Sequence, residues 1–273
     1  MKVKNIVYIF LCAFLLSSCS EYSKMLKNTD LEARYDYAKM LYEKKKFSKA
    51  LPFFESSVQM YKGTALAEEA LYLLAQCSYE TKDYYSASQY FLTYCSTYPK
   101  GEFAELSRYY AAYALYMSSP DVRLDQSDTK KAILELNTFL EYYPQSEKKD
   151  DALEYLYELQ EKLSQKELLA VKLYYNLGNY MGNNYLSSII TAQNALRDYP
   201  YTEEREEFMY YIVASRYEMA LMSVPSKVQL RYREVVDDYF SYKNEYPEGK
   251  YIKQATRFYE YVKARIGDMP EEE

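Results

Sequence analysis

At 273 residues the chain is too long for one ordinary helical bundle, and its 6 glycines and 8 prolines are too few for the many turns of a sandwich or an α/β fold. It has no histidine, which removes the commonest general base, metal ligand and physiological pH switch and argues against an enzyme or a metalloprotein. The formal net charge of −6, with no concentrated basic patch along the chain, sets nucleic acid aside as a partner, because phosphate contacts dominate that affinity.

Residues 1–18 carry Lys2, Lys4 and no acid, so their removal takes the net charge to −8. Ile6–Leu16 is an apolar run too short to span a bilayer but of the length of a signal-peptide core. It ends in Leu16-Ser17-Ser18-Cys19, which resembles the bacterial lipobox. That resemblance implies cleavage before Cys19, a diacylglycerol thioether on its sulfur and an N-acyl chain of the palmitate type on its amine. Several acyl chains anchor a protein stably. Ser20, rather than Asp, follows the cysteine, which by resemblance to enterobacterial sorting points to the outer membrane. Cys12 leaves with the signal. Cys77 and Cys95, on successive expected helices with neither a CxxC pair nor a histidine nearby, are either buried free thiols or a disulfide. No metal and no cofactor beyond the lipid is expected.

After a tether over 19–28, helical periodicity predicts helices near 29–44, 47–61, 66–81, 84–97, 103–117, 128–142, 148–163, 166–181, 184–198, 202–222, 227–245 and 249–265. Thr29 with Glu32 makes a capping box for the first. Residues 267–273, with Pro270 and three final glutamates, read as an acidic tail. Four Tyr-Pro pairs, at Tyr98, Tyr143, Tyr199 and Tyr246, close helical segments, proline being a stop signal just past a helix end.

The early segments superpose at a period of 37 residues, which aligns Ala38 with Ala75 and Ala112, Tyr35 with Tyr72 and Tyr109, and Tyr42 with Tyr79 and Tyr116. Ala50 matches Ala87, Phe54 matches Phe91 and Tyr61 matches Tyr98 at the same period. Such a period marks an array built from one supersecondary unit. The unit, two helices with small residues in both, an aromatic in the second and a terminal proline, resembles the tetratricopeptide repeat. Tyr174-Tyr175-Asn176-Leu177-Gly178-Asn179 resembles its consensus first helix. The expected fold is therefore all-α, a tetratricopeptide-repeat solenoid of about five helical hairpins plus a C-terminal helix. Repeats one to three cover 29–144, and the later repeats and closing helix cover 145–266. Repeat one departs from the consensus in having Lys62 where proline is expected, and no repeat has the consensus tryptophan.

Tyrosines seven apart lie on one face of a helix about two turns apart. By resemblance to the repeat family, Tyr35, Tyr42, Tyr72, Tyr79, Tyr109 and Tyr116, with Tyr113 beside the last, face the concave groove where partner peptides lie. Tyrosine suits such recognition, offering apolar area and a hydroxyl at low entropy cost. The alternative, that these rings pack between helices of a chain with 37 tyrosines, stays open.

The lipobox together with these repeats resembles the BamD family of outer-membrane β-barrel assembly lipoproteins. The more specific likeness is the insertion Ser118–Gln126, continued by Asp125-Gln126-Ser127-Asp128-Thr129-Lys130-Lys131-Ala132 and ending in Tyr142-Tyr143-Pro144-Gln145-Ser146. The resemblance implies a non-catalytic, lipid-anchored scaffold on the periplasmic face of the outer membrane. It implies two kinds of partner, a BamA-like barrel insertase and the targeting signals of unfolded outer-membrane proteins, with no small-molecule substrate. A repeat adaptor of another envelope or division complex is the alternative. A glycan-binding lipoprotein fits less well, since tryptophan is absent. An enzyme also fits less well, because carboxylate pairs such as Glu68-Glu69, Asp150-Asp151 and Glu206-Glu207 are adjacent in sequence and diverge around a helix.

Overall fold

The computed structural model describes residues 21–267, so Cys19, the signal segment and the last six residues lie outside it. Helices α1 (Leu31–Glu43) and α2 (Phe47–Met60) form the first hairpin, and α3 (Ala65–Glu80) and α4 (Tyr84–Thr97) the second. The third pairs α5 (Ala104–Ser118) with α6 (Ser127–Tyr142), the fourth α7 (Lys149–Leu177) with α8 (Asn184–Asp198), and the fifth α9 (Arg205–Leu221) with α10 (Pro225–Glu245). Helix α11 (Ile252–Lys263) follows, and residues 21–26 add a short helical stretch before α1. Every regular element among the described residues is helical, and the all-α tandem-hairpin fold expected from the repeat period is the one adopted.

Three local expectations are corrected. Residues 21–26, expected as part of a tether over 19–28, are helical, and Tyr22 and Met25 pack on the core of the first hairpin. The cap of α1 is Asp30, whose side chain accepts from Ala33 N at 3.2 Å, and not Thr29. Asn28 Oδ1 accepts from Asp30 N at 2.9 Å and holds that residue in place. The separate helices expected at 148–163 and 166–181 are one, α7, which runs unbroken through Ser164-Gln165. Nothing there is a breaker: neither glycine nor proline occurs, and the Ser164 hydroxyl is taken by Thr202 at 2.7 Å.

The chain divides into two compact units, one made of residues up to Ser119 with Ser127–Tyr155, the other of Pro120–Gln126 with residues from Leu156 onward. In the first, Ala38, Ala50 and Ala70 have no exposed surface, and these small side chains let helices approach while Phe53 and Phe54 fill the wider gaps. Each such phenylalanine contributes about 1.5–3 kcal/mol by its burial. Ala75, Ala87, Phe91, Ala111 and Ala114 continue the same alternation. In the second unit Leu168 and Val171 of α7 pack on Ile189 and Ala192 of α8 and on Phe208 and Ile212 of α9. A further cluster joins Tyr239 and Tyr242 to Val213 and Ala255.

The Tyr-Pro junctions follow one rule. In the first unit the Tyr94 hydroxyl donates to Glu68 Oε1, Phe103 N donates to the Tyr94 hydroxyl at 3.0 Å, and Glu102 N donates to Glu68 Oε1 at 3.0 Å. Phe103 then stacks on Tyr72 at 4.2 Å. In the second unit Tyr242 donates to Glu206 Oε1 at 2.7 Å, Tyr251 N donates to the Tyr242 hydroxyl at 3.2 Å, and Tyr251 stacks on Tyr210 at 4.3 Å. Both clasps need glycine in the loop. A Cβ on Gly101 would overlap Glu68 Oε1 and the Tyr94 hydroxyl, and one on Gly249 would overlap Glu206 Oε1 and crowd the Tyr242 hydroxyl. At the other two junctions the tyrosine is Phe139 or Ala195, and the loop residue is Ser146 or Thr202. Thr202 supplies the missing hydroxyl itself, donating to Glu161 Oε2 at 3.0 Å. One polar position is thus filled from the helix or from the loop, and not from both.

Candidate partner-binding surface

The first helices of the hairpins, α1, α3 and α5, carry the tyrosines that the period singled out. Tyr35 is 3% exposed, and its ring meets Phe54 and Tyr61 edge-on at 6.1 and 6.0 Å. Its hydroxyl donates to Glu69 Oε2 at 2.7 Å, while Lys39 donates to Glu69 Oε1 at 2.7 Å. Burial, then the Glu69 carboxylate, raises the Tyr35 phenol far above its ordinary range. Burial also pushes Glu69 upward, but the hydrogen bonds from Lys39 and Tyr35 prevail and hold its carboxyl below the usual value.

Tyr109 is 4% exposed and resembles Tyr35 in its surroundings. Its hydroxyl reaches Asp151 Oδ2 at 3.4 Å, Lys148 pairs with the same oxygen at 3.3 Å, and the Lys148 ammonium sits 5.6 Å from the ring centre. These two phenols are core residues with acidic partners.

The other five are half-buried. Tyr42 packs on Phe47 at 5.4 Å and Phe54 at 6.5 Å. Tyr72 accepts from Gln76 Nε2 at 3.0 Å, and burial pushes its phenol up to about 12. Tyr79 touches Tyr110 at 5.6 Å and Tyr113 at 6.0 Å. Tyr113 and Tyr116 stack at 5.8 Å, and both stack on Tyr155, at 4.9 and 4.5 Å. A continuous run of rings, Tyr79–Tyr113–Tyr155–Tyr116, therefore crosses from α3 through α5 to the start of α7.

Tyr155 was missed by the 37-residue period, which α7 does not keep. The prolines carry the signal that finds it, since the position eleven residues beyond each Tyr-Pro proline is aromatic: Tyr110, Tyr155, Tyr211 and Phe258.

Half-buried, stacked phenols offer apolar and aromatic area to an extended or aromatic segment. Cys77 and Cys95 are free and buried; burial pushes the Cys77 thiol up to about 12 and raises Cys95 as well. Among the described residues no group of acids and cysteines is arranged to hold a metal ion. A cleft of about 530 Å³ is lined by Leu106, Tyr142, Pro144 and Lys148 among others, and by none of the four rings of the run.

Comparison with known families decides the wider class. A family model described as YfiO, outer membrane lipoprotein, matches residues 27–230, well over half of the chain. The chain belongs to this family. The match covers the first three hairpins, both sets of tyrosines and the fourth hairpin, and ends within α10. Membership associates the chain with the outer membrane as a lipoprotein, and no helix among the described residues is long and apolar enough to cross a membrane. A search of curated proteins returned no match.

Proposed function

We propose that this chain is a non-catalytic scaffold of the outer-membrane β-barrel assembly machinery, acylated on Cys19 and held on the periplasmic face. The observation that carries the reading is the half-exposed run Tyr79–Tyr113–Tyr155–Tyr116 on an outer-membrane lipoprotein of this family. Targeting signals of unfolded barrel proteins, extended and ending in an aromatic residue, match that run in shape and chemistry. Tyr42 holds in the first hairpin the position that Tyr79 and Tyr116 hold in the next two, and Tyr109 backs the run from the core by stacking on Tyr113 at 5.9 Å. The later hairpins are left to dock the BamA-like insertase.

The test is saturable binding of a labelled peptide ending in phenylalanine, compared with the same peptide amidated and ending in alanine. The reading expects binding that needs the aromatic end and falls on Tyr116→Ala and Tyr155→Ala. Equal binding of both peptides, or none, contradicts it. The alternative, an adaptor of another envelope or division complex, draws on the same fold and is separated from the first reading by partner identity.

A further inference from the structure

The lysine-rich turn of the first hairpin forms a surface that the tyrosine run does not use. We propose that the end of the first unit made by residues 21–27 and 44–49 rests on an anionic phospholipid surface, and so fixes how the first hairpin stands on the membrane. The inference builds on the reading of Cys19 as the acylated residue.

Chain length makes the first part of the case. Glu21 lies two residues beyond Cys19, so a lipid on that cysteine is tied within about 7 Å of chain from it. The segment that follows is packed: the Tyr22 ring meets Phe53 edge-on at 5.6 Å, and Tyr22 and Met25 join the core of the first hairpin. An anchor at Cys19 therefore brings the surface around Tyr22 to the bilayer.

That surface is cationic within an acidic protein. Lys44, Lys46 and Lys49 share a small cleft of about 100 Å³ with Glu21 and Tyr22, and Lys49 Nζ lies 5.7 Å from the Tyr22 ring centre. Lys45, Lys46 and Lys49 line a second cleft, of about 480 Å³, with Glu80 of the next hairpin. Lys24 and Lys27 are exposed on the leading stretch. The acids of this surface are Glu21, Glu43 and Glu80, and none of the six lysines forms a salt bridge among the described residues. The net negative charge of the whole chain conceals the cluster, in which Lys44, Lys45, Lys46 and Lys49 come from one short stretch and Lys24 and Lys27 from the segment before it.

Lys45 sits in the left-handed region with φ of 54°, where glycine or asparagine is less strained, as do Lys82 and Met181 at later hairpin tips with φ of 64° and 54°. Because acyl chains already retain the protein, the patch adds orientation rather than retention.

The experiment couples the chain from Cys19 onward to maleimide-bearing lipid through the Cys19 thiol, Cys77 and Cys95 being buried. Lysine acetylation is then mapped on phosphatidylcholine vesicles with and without phosphatidylglycerol. Lys44, Lys45, Lys46 and Lys49 are expected to react about fivefold more slowly on the anionic vesicles, the weight of one lysine at such a surface, with the difference lost at high salt. Lys62 and Lys100, at the opposite ends of helices about 20 Å long, are expected to react equally on both. Equal rates for the four lysines on both vesicles, or equal slowing of Lys62 and Lys100, overturns the proposal. Coupling is chemical, so this outcome does not depend on native acylation. That reading is decided separately by the mass of the native N-terminal peptide, and an unacylated peptide overturns the anchor.

Discussion

Exchanging the two ways of filling the junction tests how the hairpins are joined. Tyr94→Phe removes a hydrogen bond to the Glu68 carboxylate and one from Phe103 N. A bond to a charged group contributes about 1.5–3 kcal/mol and a neutral one about 0.5–1.5, so a net loss of about 2–4.5 kcal/mol is expected. Gly101→Ser pushes a Cβ into the same oxygens and displaces the clasp, for a similar loss. The double variant reproduces the Phe139/Ser146 pairing of the next junction, in which the space vacated by the phenol oxygen admits the serine. Its loss should be about 1–2 kcal/mol, well short of the sum, giving a coupling of about 2 kcal/mol or more between the sites. Urea titration followed by helical circular dichroism suits a chain with no tryptophan. With two compact units the transition of the first must be resolved before energies are compared. Losses that add within about 0.5 kcal/mol would refute the idea that phenol and loop side chain compete for one position.

Other substitutions separate core from surface and fix the ionisation states. Tyr109→Ala should cost about 3–5 kcal/mol by opening a cavity. Tyr116→Ala, which loses stacking on Tyr113 and Tyr155, should cost about 1 kcal/mol, and equal shifts in urea midpoint would contradict this division. Glu69 has a lowered folded pKa, so its contribution is present above the unfolded carboxylate value and is lost as pH falls through the folded one. The stability gap between the parent and Glu69→Gln should therefore hold at neutral pH and close on acidification; a gap that widens in acid contradicts the Lys39–Glu69–Tyr35 arrangement. Cys77 and Cys95 should resist alkylation in the native chain and react in urea, which mass spectrometry reads directly. Lys45→Gly should raise stability by about 1 kcal/mol by relieving a left-handed lysine, and a loss would contradict the strain assigned there.

Much of this architecture could be read from spacing. Alanines and aromatics recurring at 37 residues gave the first two hairpins nearly to the residue, because small residues at contact points and turn residues between them are local signals. The break expected within α7 had no local cause and did not occur, whereas Asp30 capped α1 because a competing acid stood one residue after Thr29. Sequence placed the tyrosines on one helix face but could not say which would be covered. Tyr35 and Tyr109 are buried because Glu69 and Asp151, distant in sequence, receive their hydroxyls. Tyr155 lies off the 37-residue period and is found only by counting from the prolines, and the acidic balance of the whole chain masks the lysines at 44–49.

The central claim is that this lipoprotein holds components of barrel assembly through the first unit. The most direct measurement is capture of the native protein from solubilised outer membrane, with the captured proteins identified for the parent and for Tyr116→Ala/Tyr155→Ala. The account predicts that a large barrel insertase is recovered with both, and that unfolded barrel proteins are recovered with the parent and depleted with the variant. Recovery of peptidoglycan-associated or division proteins in place of the insertase would contradict it.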